Sequence, residues 1–250
     1  MLPPFLFWVN IHEEKKMKTF ADKVIEYNRG LEFSGSLPNG IRIMNPFRED
    51  ENVLPLAAAF YQKYYNDTNK RYLILGINPG RFGGGVTGIP FTDTKRLVEK
   101  CALEYSGKQT HEPSSVFIYE MIDAYGGVEN FYKKFYINSI CPLGFTAVGT
   151  RGKEVNYNYY DSRDLTTAVY DFIRSNIQKQ IELGVDTAVC FCFGNGKNEK
   201  FLWQLNEGNM FFKKIVALEH PRFIVQYKSR SKQFYINKYI SAFSEATFLK

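Results

Sequence analysis

The sequence predicts an α/β domain built around a mostly parallel sheet. Short apolar runs suited to buried strands alternate with segments of helical periodicity, the pattern of βα units. The runs "RYLILGI", "FYINSI", "VDTAVCFCFG" and "KIVALEHP" each lead into Gly, Asn or Pro punctuation. No internal repeat, low-complexity tract or linker interrupts that alternation, so residues 1–250 read as one domain.

Taken in order, Phe20, Val24 and Tyr27 recur at helical spacing, and that segment ends before "NRG". "SGSLPNGIRIMNPFRED" reads as a loop, punctuated by Gly, Pro and Asn. "LPLAAAFYQKYY" is a helix broken by "NDTNK", and "RYLILGI" is the first buried strand. A further helix is expected over "SVFIYEMIDAYGG", followed by "NFYKKF", then a strand "FYINSI" leading into "CPLGF". The stretch "GFTAVGTRGKEVNYNYYDSRD" reads as a loop. Leu165, Val169, Phe172, Ile173, Ile177 and Ile181 share one helical face, with Gly184 as the C-cap candidate. "VDTAVCFCFG" suits a central strand; helix "NEKFLWQL", strand "KIVALEHP" and a helix from about Gln233 complete the chain.

A chain of 250 residues can bury about three-quarters of its unfolded surface in one core. The net charge of +6 permits attraction to nucleic acid without requiring it. The aromatic share of 16% is high, so rings must fill the core and are also available for base stacking. Cys101, Cys141, Cys190 and Cys192 contain no C-x-x-C pair and read as small buried hydrophobes in a reducing cytoplasm, with no metal site. "MLPPFLFWVN" lacks the basic start and cleavage site of a signal peptide. Met17 opens a more natural beginning, which makes residues 1–16 an extension or a misassigned start. No apolar run approaches the roughly 20 residues of a membrane span, and a soluble cytoplasmic monomer is expected.

In open α/β sheets, ligands sit beyond the carboxyl ends of the strands. Three polar signatures fall there: "GINPG", "INSICPLG" and "EHPRF". The first belongs to "GINPGRFGGGVTGIPF", whose glycine density marks a close backbone approach.

Together, "GINPGRFGGGVTGIPF", "NSICPLGF" and "HPR", in this order, resemble the uracil-DNA glycosylase superfamily, closest to its single-strand-selective monofunctional branch. The resemblance implies a three-layer sandwich, a central mostly parallel sheet flanked by helices. It implies hydrolysis of the N-glycosidic bond of a flipped-out uracil in DNA, with no lyase step and no cofactor. Asn78 would hold the hydrolytic water, and His220 would donate toward the uracil O2, aided by backbone N–H groups at Ile77 and Asn78. Phe91 would stack on the base and Asn138 would bond its Watson–Crick edge. Gly80, with Gly83, Gly84 and Gly85, would let main chain approach the nucleotide. The Gly194–Gly196–Lys197 turn suits a DNA phosphate at a helix N-terminus. Arg222 or Phe223 would fill the space of the flipped nucleotide, and Lys228 and Arg230 would contact phosphates. "HPRFIVQY" departs from the "HPSPR" of that branch, which leaves strand preference open. His12 and His111 read as structural residues. Two alternatives stand beside uracil excision: a relative preferring xanthine or oxidised pyrimidines, and a non-catalytic DNA- or nucleotide-binding module.

Overall fold

The computed structural model describes residues 17–149 and 152–248; the expected N-terminal extension, with His12, lies outside them. Four parallel strands, β2 (Tyr72–Gly76), β3 (Phe135–Ser139), β6 (Asp186–Phe193) and β7 (Lys214–Leu218), form the central sheet in the order β3-β2-β6-β7. β2 and β3 are buried along their whole length, which matches their mostly apolar runs, with Asn138 and Ser139 the buried polar end of β3.

Helices cover both faces. On one, α1 (Phe20–Arg29) and α3 (Val53–Tyr65) set Phe20 and Tyr65 against Tyr136 of β3. α8 (Arg163–Glu182) joins that layer, with Lys23 Nζ donating to the Leu183 carbonyl and Gln180 Nε2 to Ser139 O. On the other face, α6 (Pro113–Tyr125) and α11 (Lys232–Phe248) pack Tyr125 and Phe243 onto Phe135, and Phe243 also meets Phe191. The expected three-layer arrangement is therefore the observed one.

Local chemistry sets the helix ends. Thr19 and Asp22 close a capping box on α1, and Ser162 Oγ accepts from Leu165 N–H to start α8. α8 stops where Gly184 takes φ +102°, one residue past the C-cap, and donates to the Ile181 carbonyl. α7 (Val128–Tyr132) leads into β3, and α9 (Lys197–Asn209) connects β6 to β7.

Two stretches expected as loops carry structure. Within 34–50 lie β1 (Ile41–Met44) and the one-turn α2 (Pro46–Glu49); Gly and Pro punctuation on both sides of a four-residue strand hides it. Within 144–164, β4 (Gly144–Val148) and β5 (Glu154–Tyr157) form an antiparallel pair, and β1 joins β4 in a second sheet of order β1-β4-β5. Further short helices are α4 (Gly84–Thr87), α5 (Thr94–Glu99) and α10 (Pro221–Tyr227), the last lying just before the basic residues Lys228 and Arg230, where no helix was expected.

All four cysteines are free and buried. No helix among the described residues is long and apolar enough to cross a membrane.

Candidate active site

The carboxyl ends of β2, β3 and β7 open onto a cleft of about 330 Å³. Its walls include Ile77, Asn78, Gly80, Phe91, His220 and Arg222, which the sequence had singled out, and also Glu112, Ser139, Asn156 and Asn158.

Asn78 follows β2, and its amide is held at both ends by main chain at the end of β5 and just after it. Nδ2 donates to the Tyr157 carbonyl (3.2 Å), and Oδ1 accepts from Tyr159 N–H (3.1 Å). A second lone pair and a second N–H remain for a ligand. Asn156 Oδ1 accepts from Arg81 N–H (3.1 Å), so the β4–β5 hairpin also fixes the turn beyond Asn78. The small sheet therefore orients the candidate water-holding amide.

Phe91 takes φ +54°, a conformation costly for a bulky side chain, on the order of 1–3 kcal/mol. Hydrogen bonds of its neighbours hold it there: Thr87 Oγ1 donates to the Thr92 carbonyl (2.6 Å), and Thr92 Oγ1 pairs with Tyr119 Oη (2.9 Å). The strained turn lays the ring over Gly76, where an added Cβ would come within 2.7 Å of Phe91 Cε2. The ring also packs edge-on to Phe193 (5.7 Å) and tilted to His220 (5.6 Å).

His220 is the N-cap of α10, and its Nδ1 accepts from Arg222 N–H (3.2 Å). Burial, aided by the Arg222 charge, lowers its pKa to about 4. The ring is thus neutral near pH 7, and because Nδ1 is an acceptor the proton resides on Nε2. A neutral imidazole with a free Nε2–H is a directed donor that does not need to lose charge to act.

Glu112 was not anticipated. It sits at the N-cap of α6 without capping the helix through its side chain; its own N–H donates to Asp93 Oδ2 (2.6 Å). The carboxyl instead turns toward the glycine-rich loop. A Cβ on Gly80 would lie 2.8 Å from Oε1, and one on Gly83 would lie 2.7 Å from Cδ. Burial raises its pKa to about 7 and the Asp93 charge adds to that, opposed by a hydrogen bond from Ser115 Oγ (3.3 Å) and by Arg222. Gly85 backs onto the loop itself: its Cβ would meet Gly80 O at 2.7 Å, and its N–H donates to that oxygen (2.9 Å). Much of the glycine density thus accommodates protein atoms rather than a ligand.

The remaining candidates lie around this cleft. Asn138 faces a small neighbouring pocket of about 20 Å³ that shares Pro79, Gly84 and Pro90 with the main one. Its amide is engaged internally, Nδ2 with Tyr136 Oη (2.8 Å) and Oδ1 with Ser139 N–H (2.8 Å). Gly194 (φ +121°) and Gly196 (φ +148°) make the turn into α9, and Lys197 is exposed there with its Nζ 5.9 Å from the Tyr160 ring centre. Arg222 and Phe223 occupy the first turn of α10, Arg222 on the cleft wall and Phe223 exposed against Tyr227. Lys228 and Arg230 continue that exposed edge. His111 pairs through Nδ1 with Arg96 Nη2 (3.0 Å), a structural contact as expected.

The residues missed left faint signals. In "HEPSS", a Glu directly before a helix-starting Pro stands where Ser, Thr, Asp or Asn usually cap, a hint that its carboxyl serves elsewhere. The alternating "NYNYY" carried Asn156 and Asn158 inside a stretch read as loop.

A comparison with curated proteins finds no match. Among solved structures, the crystal structure of wild-type SMUG2 from Pedobacter heparinus is similar, with a TM-score of 0.90 and 66% identity over 92% of this chain and 99% of that one. The family profile described as the uracil DNA glycosylase superfamily matches residues 62–244. With its four-stranded parallel sheet, its motif order and this match over most of its length, the chain belongs to the uracil DNA glycosylase superfamily, in the branch of the SMUG proteins.

Proposed function

We propose that the protein is a monofunctional uracil-DNA glycosylase: a single catalytic domain, acting as a monomer, that hydrolyses the N-glycosidic bond of a flipped-out uracil and leaves an abasic site. The observation that carries this reading is the convergence of three groups in one cleft: the tethered Asn78 amide, the Phe91 ring and the neutral His220 with its proton on Nε2.

Their chemistry suits the reaction. Breaking the bond leaves negative charge on the departing base, and a fixed neutral donor is most effective where such charge develops. His220 supplies that donor toward O2, with the backbone N–H groups of Ile77 and Asn78 beside it. Phe91 offers a face for stacking, and Asn78 keeps one lone pair and one N–H for water. Asn138, one wall away, reads the Watson–Crick edge through the carbonyl and amide valences it has left. Among the described residues lining the cleft there is no lysine, which supports hydrolysis without Schiff-base chemistry.

DNA is held by the α9 N-terminus with Gly194, Gly196 and Lys197, and by the α10 edge with Arg222, Phe223, Lys228 and Arg230. The exposed Phe223 and Tyr227 rings favour α10 as the element that props the strand open around the extruded nucleotide.

One observation favours a wider base range, xanthine or an oxidised pyrimidine. The wall at Gly80 is polar, with Glu112 and Asn156 beside it rather than a bulky ring. Release from matched oligonucleotides carrying each base decides between the two readings.

The test is single-turnover base release from a single-stranded oligonucleotide with one uracil, using wild type, Asn78→Ala and His220→Ala. Loss of each group should slow release by about 100-fold or more. Wild type that binds this DNA and the matched xanthine and oxidised-base strands yet releases nothing would leave the non-catalytic binding module as the correct reading.

A further inference from the structure

We propose that Glu112 is a catalytic residue of base release, the group that accepts the proton of the attacking water; this rests on the glycosylase reading above. The starting point is a gap in the chemistry. Water attack on the sugar must end with a proton transferred away from that water, and an amide such as Asn78 cannot receive it. The cleft contains one carboxyl, that of Glu112, among the described residues that line it.

Its placement has no evident structural purpose. The side chain makes no capping bond to α6, which already begins with Pro113, and the Glu112 main-chain N–H is served by Asp93. Two glycines of the neighbouring loop leave the room it occupies, since a side chain at Gly80 or Gly83 would run into its oxygens. Oε2 receives one hydrogen bond, from Ser115 Oγ (3.3 Å), leaving further acceptor sites for the cleft. Gly80 lies two residues from Asn78, so the amide that orients a water and the carboxyl that faces Gly80 border the same space.

The groups around the carboxyl set when it acts. Asp93, at the start of α5, and burial both hold its proton; Ser115 of α6 and Arg222 of α10 favour its release, and neutral His220 contributes no charge. The balance leaves Glu112 titrating at about 7, poised to take a proton in neutral solution. In the step itself the C1′–N bond breaks and its electron pair leaves with the base. The water oxygen forms the new bond to C1′, and one water proton passes to the Glu112 carboxylate. That proton then returns to the base anion or to solvent, so no other reactant is consumed.

The experiment is the single-turnover release rate between pH 5 and 9 on a single-stranded oligonucleotide with one uracil, with affinity for the same strand measured alongside. For wild type the rate should climb through about pH 7 to a plateau. Glu112→Gln should bind that strand within about 3-fold of wild type, lose about 100-fold or more in rate at pH 8, and lose the climb. Glu112→Asp, with the carboxyl withdrawn by one methylene, should keep a climb at reduced rate, which also covers a Gln variant that does not fold. A Gln variant with wild-type rate and pH profile, or an Asp variant without pH dependence, overturns this assignment alone. A wild type that releases no base overturns the glycosylase reading and this assignment with it.

Discussion

Replacing Glu112 by Gln should make the protein more stable in alkaline solution and no different in acid. Burial raises the Glu112 carboxyl from its ordinary 4.5 to about 7 in the folded protein. Between those values the folded state binds more protons than the unfolded one, so stability falls as pH rises. Below about pH 4.5 the carboxyl is protonated in both states and contributes nothing. Above about pH 7 it is ionised in both, and the full displacement, about 3 kcal/mol, is subtracted from stability. Gln has the same shape without the ionisation, so it does not pay that cost. For a chain of this size about 1 kcal/mol shifts the melting temperature by about 2–4 °C, which predicts a gain of roughly 6–12 °C at pH 8.5. Paired thermal or urea unfolding of both proteins from pH 4 to 8.5 checks it, because every other titrating group cancels in the difference. Two curves separated by a constant offset, or Gln less stable at pH 8.5, would refute the reasoning.

Three further outcomes follow from the same geometry. Phe91→Ala should slow uracil release by about 5- to 150-fold, the equivalent of one base-stacking contact of about 1–3 kcal/mol, measured under single turnover. Lys197→Ala should weaken binding of single-stranded DNA regardless of sequence and reduce the slope of log affinity against log salt by about 0.7, read from titrations at several salt concentrations. His220 should remain neutral from pH 8 down to about 4, so its imidazole ¹⁵N resonances should keep the pattern of an Nε2–H tautomer across that range; since its pKa is lowered from 6.5, its cost to the folded state develops only as pH falls from 6.5 to about 4.

The central sheet was legible because each of its strands carries a short, mostly apolar run, and α8 because six residues spell out one face over five turns. The second sheet was not. β1 is four residues between Gly and Asn-Pro, and β5 has exposed or half-exposed side chains, so neither presents a period that stands above loop composition. The site follows the same division. Asn78, Phe91 and His220 lie in a contiguous motif or at a strand end, where position speaks for chemistry. Glu112 reaches the cleft from a helix start far along the chain from Asn78, and only the packing of α6 against the glycine loop brings its carboxyl there. The glycines themselves were visible, but what they leave room for was not: composition tells of space, not of its occupant.

The grip of β5 and the residues just after it on Asn78 favours an amide over a carboxylate at this position. The Tyr157 carbonyl requires a donor opposite it, and the Tyr159 N–H an acceptor. Asn satisfies both at once; a carboxylate would set two acceptor oxygens against each other at about 3 Å and forfeit the contact. The choice between amide and acid is therefore written in the backbone of a neighbouring strand rather than in the cleft. An exchange to Asp in this scaffold would lose that grip unless the hairpin is redesigned with it. A change at Asn78 therefore calls for a change in the hairpin, so strand β5 acts as a second, unseen half of the Gly-Ile-Asn-Pro-Gly motif.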